Sequence, residues 1–468
     1  MHKEQLLLSA FVMNCVGHIA PGLWRHPRDR SRDYKSLAHW TELARTLERG
    51  KFDAIFIADA MGVYDVFGQS PDAALRHATQ VPNGDPLMLV SAMAAATSHL
   101  GFGVTANLSY EHPYSFARRM STLDHLTDGR IGWNVVTGFL DSAARGMGLP
   151  QQGEHDGRYD VADEFMKVAY RFWEESWEDD AVFANPGGEH FADPRKIHRI
   201  THNGDAYRTD AVHLCEPSPQ RTPVIFQAGT SSRGRQFAAR HAECVFLSGP
   251  TKEVVASRVA DIRKAAQQQG RSRSQVKILA LATLIVASTD EEARQRHAEY
   301  LTYVSHEGAL ALMSGWTGVD LSRLSLDDEV RYVENDAGRT ALENITRADP
   351  SRTWTVREVA EHTAIGSIGP VIVGSPARVA DELEYWRAQT DVDGFNLGFA
   401  VMPESFADVV DLLIPELQRR GIYKNEYATG SLRHKLFGAG HSVPGNHPAA
   451  APKQAGTQTA AFTAGERA

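Results

Sequence analysis

Short apolar runs alternate with amphipathic segments along most of the chain. The amphipathic segments place apolar residues at helical spacing, as at Trp40, Leu43 and Leu47, with Gly50 just past the end. Asp85 and Pro86 have the character of a helix start and predict a helix over residues 87–96. The apolar runs predict eight buried strands, at residues 6–11, 54–57, 101–105, 131–137, 224–227, 244–247, 278–287 and 394–399.

Eight strands that alternate with helices favour parallel βα units over an antiparallel meander. A closed (β/α)₈ TIM barrel is the architecture that this order predicts, with any chemistry at the carboxyl ends of the strands. An open doubly wound sheet is the alternative. It is less favoured because no glycine fingerprint follows the first strand.

The domain organisation follows from the lengths of the connections. Residues 1–437 are predicted to form a single barrel domain, with insertions at about residues 138–222 after strand four and 289–366 after strand seven. The second insertion has the polar, partly helical character of a lid. From residue 438 to 468 the chain is rich in Ala, Gly, Pro, Thr and Gln, and this tail is expected to be disordered.

Composition and charge exclude several classes of protein but do not indicate a particular function. The chain has 468 residues, of which 42% are hydrophobic, and a net charge of −9 with both signs interspersed. That pattern gives no basic surface for nucleic acid, and no apolar run is long enough for a membrane span. Three widely spaced cysteines do not form a disulfide framework, and they favour the reducing cytoplasm.

The carboxyl ends of the predicted strands carry the first candidate site residues. Asp59 follows strand two, Thr105 ends strand three, and Asn134 and Thr137 lie at the end of strand four. A carboxylate at the depth of Asp59 needs a donor partner, which a ligand N–H or hydroxyl could provide. A capping role for Asp59 is the alternative.

The segment at residues 227–234 lies between a predicted strand and a predicted helix. Gly229 permits a tight turn, and Thr230 and Ser231 supply hydroxyls beside free amides at a helix N-terminus, which suits a phosphate dianion. An ordinary Ser/Thr cap explains the same residues equally well. The segment matches neither GxxxxGK[ST] nor GxSxG, so it supports neither nucleoside triphosphate hydrolysis nor a serine nucleophile.

Further candidates lie outside the strands. His155 and Tyr159, just before a predicted helix at residues 161–173, are four residues apart and could face one ligand, although such a stretch is usually a plain helix start. Cys15 and His18 follow strand one, where a pocket wall is favoured over a thiolate nucleophile. The 20 histidines include His190, His198 and His202, but their spacing lacks an established metal-ligand set, so no metal is predicted.

The order of several motifs resembles a known family, the bacterial-luciferase-like flavin-dependent monooxygenases. Within it, the chain is similar to the nitrilotriacetate and dibenzothiophene-sulfone monooxygenase group, and most of all to long-chain alkane monooxygenase. The resemblance covers about residues 6–437. It rests on residues 11–18, 22–27, 47–53, 122–126, 129–137, 154–160, 227–234 and 393–396.

The resemblance implies a cofactor and its partners. The cofactor is FMN, used as FMNH2 that a separate NAD(P)H:FMN reductase supplies, and the other reactants are O₂ and a small organic substrate. A homodimer or homotetramer is implied as well. The implied flavin contacts are Asp59, Thr105, His155, Tyr159 and Ser231, with Asn134, Thr137, Gly229 and Thr230 as neighbours.

The substrate side is where the chain departs from the resemblance. Cys15, His18, Tyr64 and Gln80 match implied catalytic positions, whereas Phe139 and Leu312 stand where the alkane enzyme has histidines. This change favours a sulfur-, nitrogen- or ring-containing substrate over a long alkane. The alternatives are a long-chain alkane hydroxylase proper, a barrel oxidoreductase that uses a deazaflavin, and a non-catalytic flavin-binding protein.

Overall fold

The computed structural model describes residues 5–184, 186–229, 231–332, 339–346, 348–349 and 352–450. All eight predicted strands are present within one or two residues of their predicted ends, and three short strands accompany them. The strands are β1 (Leu7–Met13), β2 (Ala54–Ala58), β3 (Gly101–Asn107), β4 (Ile131–Val136), β5 (Ile200–Asn203), β6 (Arg208–Ala211), β7 (Val224–Gln227), β8 (Cys244–Leu247), β9 (Lys277–Val286), β10 (Val371–Gly374) and β11 (Gly394–Gly398).

Eight of these strands close into a parallel barrel. The neighbours run β9-β11-β1-β2-β3-β4-β7-β8, and β8 pairs again with β9 to complete the ring. The closing register sets Cys244 opposite Lys277 and Leu247 opposite Ala280. The prediction of a (β/α)₈ barrel is therefore confirmed, and the open-sheet alternative is wrong because no barrel strand is left as an edge.

Helices surround the barrel and fill the long connections. Among the described residues, no helix is both long and apolar enough to cross a bilayer. The α-helices are α1 (Leu37–Arg49), α2 (Asp72–His77), α3 (Leu87–Ala95), α4 (Pro113–Leu126), α5 (Asp141–Gly146), α6 (His155–Glu174), α7 (Ser232–His241), α8 (Lys252–Gln268), α9 (Asp290–Leu301), α10 (His306–Thr317), α11 (Arg339–Asn344), α12 (Val356–Thr363), α13 (Pro376–Thr390), α14 (Glu404–Asp408), α15 (Ile414–Arg419) and α16 (Leu432–Phe437), with a π-helical turn at Val409–Leu413.

A layer of aromatic side chains fills the barrel interior. Phe11, Phe56, Phe226 and Phe246 form this phenylalanine layer, with ring centroids 4.1 Å apart for Phe56 and Phe246 and 5.3 Å apart for Phe226 and Phe246. Gly132 makes room for it, because a Cβ there would stand 2.4 Å from Phe226 Cε2. The layer separates the carboxyl mouth of the barrel from its amino end.

The amino end of the barrel is closed by α16. Leu432 on this helix is fully buried, and its Cδ1 would stand 2.5 Å from a Cβ added at Gly101. Beside it, the buried Arg433 guanidinium donates from Nε to Glu243 Oε1 at 2.7 Å and from Nη2 to Oε2 at 2.9 Å. The mouth at the carboxyl end is therefore the side of the barrel left for a ligand.

The structure corrects the expected disorder of residues 438–450. Val443, His447 and Ala449 are buried, and His447 Nε2 lies 2.8 Å from the carbonyl oxygen of His241. The contacts of this segment could not be predicted from its Ala/Pro-rich composition, because only a few apolar side chains and one histidine hold it in place. The rest of the tail, residues 451–468, lies outside the described residues.

Three further features differ from the sequence predictions. Helix α6 begins at His155 rather than at residue 161, so His155 and Tyr159 lie on its first turns. The hairpin β5–β6 was missed because only Ile200 in it is buried and its pattern is otherwise polar. Strand β10 was missed because it has only four residues, which pair with the last four of β9.

The long connection after β9 builds a small core of its own. Helices α10, α11 and α12 contribute to a cluster separate from the main core, whose largest fully buried member is Trp354. Leu310 and Met313 of α10 join this cluster, while Leu312 of the same helix turns toward a different cluster at the barrel mouth. Helix α10 therefore connects the inserted residues with the candidate site.

Candidate active site

The first part of the site lies where β7 meets α7. Ser231 caps α7, and its Oγ accepts a hydrogen bond from Gly234 N at 3.1 Å. The Tyr159 hydroxyl, from α6, shares a hydrogen bond with Ser231. A Cβ at Gly229 would stand 2.6 Å from Tyr159 Oη and one at Gly234 2.9 Å from it, so a side chain at either position would displace the tyrosine hydroxyl.

An arginine and a helix N-terminus lie beside this turn, and the arginine, Arg233, is also paired with Asp160 at 2.9 Å and Asp163 at 2.7 Å. The Arg233 guanidinium lies 5.6 Å from the centre of the Tyr159 ring, and the N-terminus of α7 adds its partial positive charge. Burial raises the pKa of Tyr159, so its hydroxyl keeps its proton. A dianion would find amides, hydroxyls and cationic charge together here, while Thr230 lies outside the described residues.

His155 stands next to Tyr159 as the sequence spacing suggested. The centroids of the two rings are 5.4 Å apart, and both side chains are buried. His155 Nδ1 lies 2.6 Å from Asp156 Oδ1. Since a carboxylate at one ring nitrogen favours a proton there, this contact orients the imidazole.

Strands β3 and β4 supply an amide and a hydroxyl in the middle of the mouth. Thr105 and Asn134 are paired across the two strands, and Asn134 Nδ2 donates to Thr105 Oγ1 at 2.9 Å. Asn134 Oδ1 is buried with no hydrogen-bond partner among the described residues. An unpaired buried acceptor of this kind is costly unless a ligand donor satisfies it. Thr137 lies just beyond β4 and accepts through its backbone oxygen from Ser109 Oγ at 2.8 Å.

Asp59, at the end of β2, is the titratable group of the mouth. Burial, together with the nearby charge of Asp85, raises the pKa of Asp59 to about 6. Asn83 Nδ2 donates a hydrogen bond to Asp59 Oδ1 at 3.3 Å. The carboxyl group therefore changes charge close to neutral pH.

A pH-dependent stability difference is expected from Asp59. Because the pKa in the folded protein, about 6, exceeds the ordinary 3.8, the ionised group destabilises the fold. The melting temperature of the parent should equal that of Asp59→Asn below about pH 4 and fall relative to it as the pH rises to about 6. Calorimetry of both proteins measures this, and a difference that is constant with pH would contradict it.

Cys15 and His18 lie on the β1 side of the mouth, and both are buried. Burial, assisted by the charge of Asp59, raises the pKa of the Cys15 thiol, so the thiolate that a nucleophile needs is disfavoured. Burial lowers the pKa of His18 to about 3, which leaves the imidazole neutral. Its ring packs edge-on against Phe11 at 4.4 Å, and its Nδ1 has no hydrogen-bond partner among the described residues.

Tyr64 and Gln80 form a direct hydrogen-bonded pair. Tyr64 Oη donates to Gln80 Oε1 at 2.7 Å, and Gln80 Nε2 donates to the backbone oxygen of His18 at 2.8 Å. Gln80 holds a left-handed backbone conformation with φ 51°. His18, Tyr64 and Gln80, which were all predicted to lie near the mouth of the barrel, are therefore neighbours in the structure.

Apolar side chains form the wall beside Tyr64. Leu312 of α10 is fully buried in one cluster with Tyr64, Leu140 and Ala143, and Phe139 packs against that cluster. The two positions at which the chain departs from its resemblance, Phe139 and Leu312, are thus neighbours of the same apolar wall.

Sequence reasoning missed several residues of the site. Trp316 Nε1 donates to Tyr64 Oη at 2.9 Å, and Gln227 has a buried Oε1 without a partner among the described residues. Gln227 ends a predicted strand, which was a usable signal. Trp316 carried none, because its position depends on how the insertion folds back onto the mouth.

Histidines elsewhere are engaged with carboxylates. His202 Nε2 lies 2.9 Å from Glu164 Oε1, and His198 Nε2 lies 2.8 Å from Glu178 Oε1. In the part of the chain that the structure describes, no three His, Cys, Asp or Glu residues are placed to hold a metal ion together.

The closed barrel and the residues at its mouth define a class of protein. Comparison with known proteins identifies that class. Residues 16–393 match the family of luciferase-like monooxygenases, and the chain belongs to that family. It is an enzyme of the monooxygenase class, as the family and its relatives show.

Two relatives are similar over nearly their whole length. Dimethyl-sulfide monooxygenase of Hyphomicrobium sulfonivorans is 50% identical, over 96% of this chain and 94% of the relative. Long-chain alkane monooxygenase of Geobacillus thermodenitrificans is 48% identical, over 96% of this chain and 98% of the relative. Their crystal structures superpose on the chain with TM-scores of 0.89, covering 96% of each chain, and 0.88, covering 95% of this chain and 99% of the other.

Proposed function

We propose that the protein is the oxygenase component of a two-component system, which takes FMNH2 from a separate NAD(P)H:FMN reductase and adds oxygen from O₂ to a compact organic sulfide. The observation that carries the cofactor is the turn around Tyr159. There, two glycines that leave room for the tyrosine, the cap of Ser231 and the N-terminus of α7 converge on one hydroxyl.

The residues of the mouth fit FMN. The phosphate would be held by Ser231, Tyr159 and the backbone at Gly229, a set at the N-terminus of α7 whose amides and hydroxyls suit a dianion. The unpartnered Oδ1 of Asn134 and the carboxyl group of Asp59 offer an acceptor and a titrating group to the ring system. When bound, the reduced flavin would supply the electrons that activate O₂.

The chain's own residues exclude water from the reacting side. Phe11 packs against the neutral imidazole of His18, Cys15 is a buried protonated thiol, and Leu140, Leu312 and Phe139 form the apolar wall beside Tyr64. The neutral imidazole of His18, whose Nδ1 has no hydrogen-bond partner among the described residues, is placed to form a hydrogen bond with a ligand in this dry environment. We assign Cys15 to the pocket wall, because burial disfavours its thiolate.

The apolar wall supports the substrate class. An aromatic ring at Phe139 offers a contact of about 0.3–1.5 kcal/mol to a polarizable sulfur atom. One relative at 50% identity is named for dimethyl sulfide and another at 48% for long-chain alkanes, so overall identity does not separate the two classes. The absence of histidines at Phe139 and Leu312 favours the sulfide.

A substrate panel tests this proposal. With an added FMN reductase and NADH, the parent should add one oxygen atom to dimethyl sulfide or a small aryl sulfide and give little product from hexadecane. Phe139→His should lower the sulfide yield, since it replaces the aromatic face with a polar ring. Product mass spectrometry measures both, and efficient hydroxylation of hexadecane by the parent would assign the chain to the alkanes.

The phosphate contacts make a second prediction. Ser231→Ala and Tyr159→Phe should each weaken FMN binding about 10- to 150-fold, because a hydrogen bond to a charged group contributes about 1.5–3 kcal/mol. Fluorescence titration measures the dissociation constants. Ser232→Ala, one exposed residue further along α7, is the matched control and should bind like the parent.

Riboflavin separates the phosphate from the ring. Since it lacks the phosphate, its affinity should be the same for the parent, Ser231→Ala and Tyr159→Phe. Equal FMN affinity in all three proteins would place the phosphate elsewhere. A deazaflavin titrated in parallel distinguishes the alternative cofactor.

The proposal extends to assembly and location. We place the protein in the cytoplasm as a homodimer or homotetramer, which its resemblance to the luciferase-like family and its unpaired cysteines support. Light scattering on the purified protein gives the number of subunits.

A further inference from the structure

A directional chain of hydrogen bonds leads from α10 to the backbone of His18. Trp316 Nε1 donates to Tyr64 Oη at 2.9 Å, Tyr64 Oη donates to Gln80 Oε1 at 2.7 Å, and Gln80 Nε2 donates to His18 O at 2.8 Å. The His18 carbonyl oxygen can only accept, so the Gln80 amide turns Nε2 toward it and Oε1 toward Tyr64, while the indole nitrogen at the other end of the chain can only donate. The single proton of the Tyr64 hydroxyl therefore points to Gln80.

Helix α10 is shaped to bring the indole to this place. A Cβ at Gly315 would stand 2.0 Å from Tyr64 Cδ1, so the helix backbone packs directly on the tyrosine ring. At the other end of α10, Glu307 is anchored by His77 Nε2 at 2.7 Å and Arg76 Nη1 at 2.9 Å. The helix is thus fixed at both ends to the segment that follows β2.

Trp316 stands at the junction of two clusters. It packs against the core of the inserted helices and also against the apolar wall around Tyr64 and Leu312. The indole ring packs against both clusters, and its N–H in addition donates to Tyr64 Oη. With one lone pair of Tyr64 Oη engaged by Trp316 and its proton given to Gln80, the hydroxyl can offer the pocket only an acceptor.

We propose that Trp316 is a positioning residue, which fixes the place of the Tyr64 hydroxyl beside the pocket and, through Tyr64 and Gln80, the backbone of His18. The proposal rests on the proposed oxygenase function for its kinetic consequences. Without the indole donor, one lone pair of Tyr64 Oη loses its partner, so Gln80 alone holds the hydroxyl, and the link between α10 and His18 ends at Tyr64.

Kinetics with the reductase-coupled enzyme test the role. Trp316→Phe keeps an aromatic ring and removes the donor, so kcat for sulfide oxygenation should fall about 3- to 10-fold, as expected for one neutral hydrogen bond. More of the reduced flavin should be lost as hydrogen peroxide. The FMN dissociation constant should not change, because the phosphate turn lies at β7, across the barrel from β1.

A matched control and a double variant separate positioning from packing. Trp177 Nε1 donates to His213 O at 2.8 Å, outside the mouth, so Trp177→Phe removes an equivalent bond and should leave kcat and peroxide yield unchanged. In a Tyr64→Phe background, Trp316→Phe should cause no further loss of kcat. Equal losses with and without the Tyr64 hydroxyl would overturn the proposal.

A spectroscopic readout keeps the proposal independent of activity. Ultraviolet resonance Raman spectra of the flavin-free protein report on hydrogen-bonded indole N–H groups. Compared with the parent, both Trp316→Phe and Tyr64→Phe should lose the signal of one such group. If the parent oxygenates nothing in the panel, the proposed function fails while this spectrum still decides the contact. An indole signal unchanged by Tyr64→Phe overturns the inference.

Discussion

Purified without a reductase, the protein is expected to leave NADH and NADPH unoxidised, and addition of an unrelated FMN reductase with FMN should start oxygen-dependent product formation. The physical reason is a division of labour. The mouth has a turn suited to one phosphate at β7 and α7, and no glycine fingerprint follows β1 to bind a dinucleotide.

The measurement follows NADH absorbance and product mass in the same reaction. Chemically reduced FMN in air-saturated buffer should replace the reductase entirely, and the sulfide product should form without any nicotinamide. Catalase serves as a control, since product made by released hydrogen peroxide would disappear with it. Rapid NADH oxidation by the protein alone would show that it carries its own nicotinamide site.

The largest expected loss of stability follows from Arg433→Met at the amino end of the barrel. The Arg433 and Glu243 side chains are 2% and 1% exposed, and the guanidinium also donates to the backbone of Thr222 at 3.0 Å and His441 at 2.7 Å. Burial favours the neutral form of Glu243, but the charge and hydrogen bonds of Arg433 bring the pKa of Glu243 below its ordinary value. Removing the arginine leaves a buried carboxylate unpaired.

Such a loss is expected to cost about 3–5 kcal/mol of unfolding free energy. Urea unfolding followed by circular dichroism measures it. Arg419→Met is the matched control, because Arg419 is 71% exposed and pairs with Glu416 at the surface, where a pair contributes less than about 1 kcal/mol. Equal losses of unfolding free energy in the two variants would show that burial does not increase the contribution of the pair between Arg433 and Glu243 to stability.

The barrel could be predicted because its strands are fully buried. Residues 224–227 and 244–247 were located to the residue, since continuous apolar runs are what a strand covered on both faces requires. The hairpin β5–β6 and the ordered segment at residues 438–450 were not, because a few polar anchors and one or two buried side chains hold them. Local composition contains too little signal for such elements.

For the site, the residues at the ends of strands were accessible from sequence. Asp59, Thr105, Asn134 and Ser231 follow or end predicted strands, and parallel strands of a barrel bring such ends to one mouth. Their presence at that mouth needed no knowledge of side-chain positions. The hydrogen-bond partners of these residues could be assigned only once the side-chain positions were known, as the bond from Asn134 Nδ2 to Thr105 Oγ1 shows.

The sequence by itself determined the closed barrel, the mouth at its carboxyl end and the turn suited to phosphate, because each depends on local periodicity and on residues next to strands. Only the tertiary structure decided what faces that mouth from far along the chain. Trp316 lies 252 residues from Tyr64, and its donation to the tyrosine depends on the fold of the inserted helices. The charge states of Asp59, Cys15 and His18 were likewise undecided until burial was known, because desolvation acts through all the atoms that surround a group.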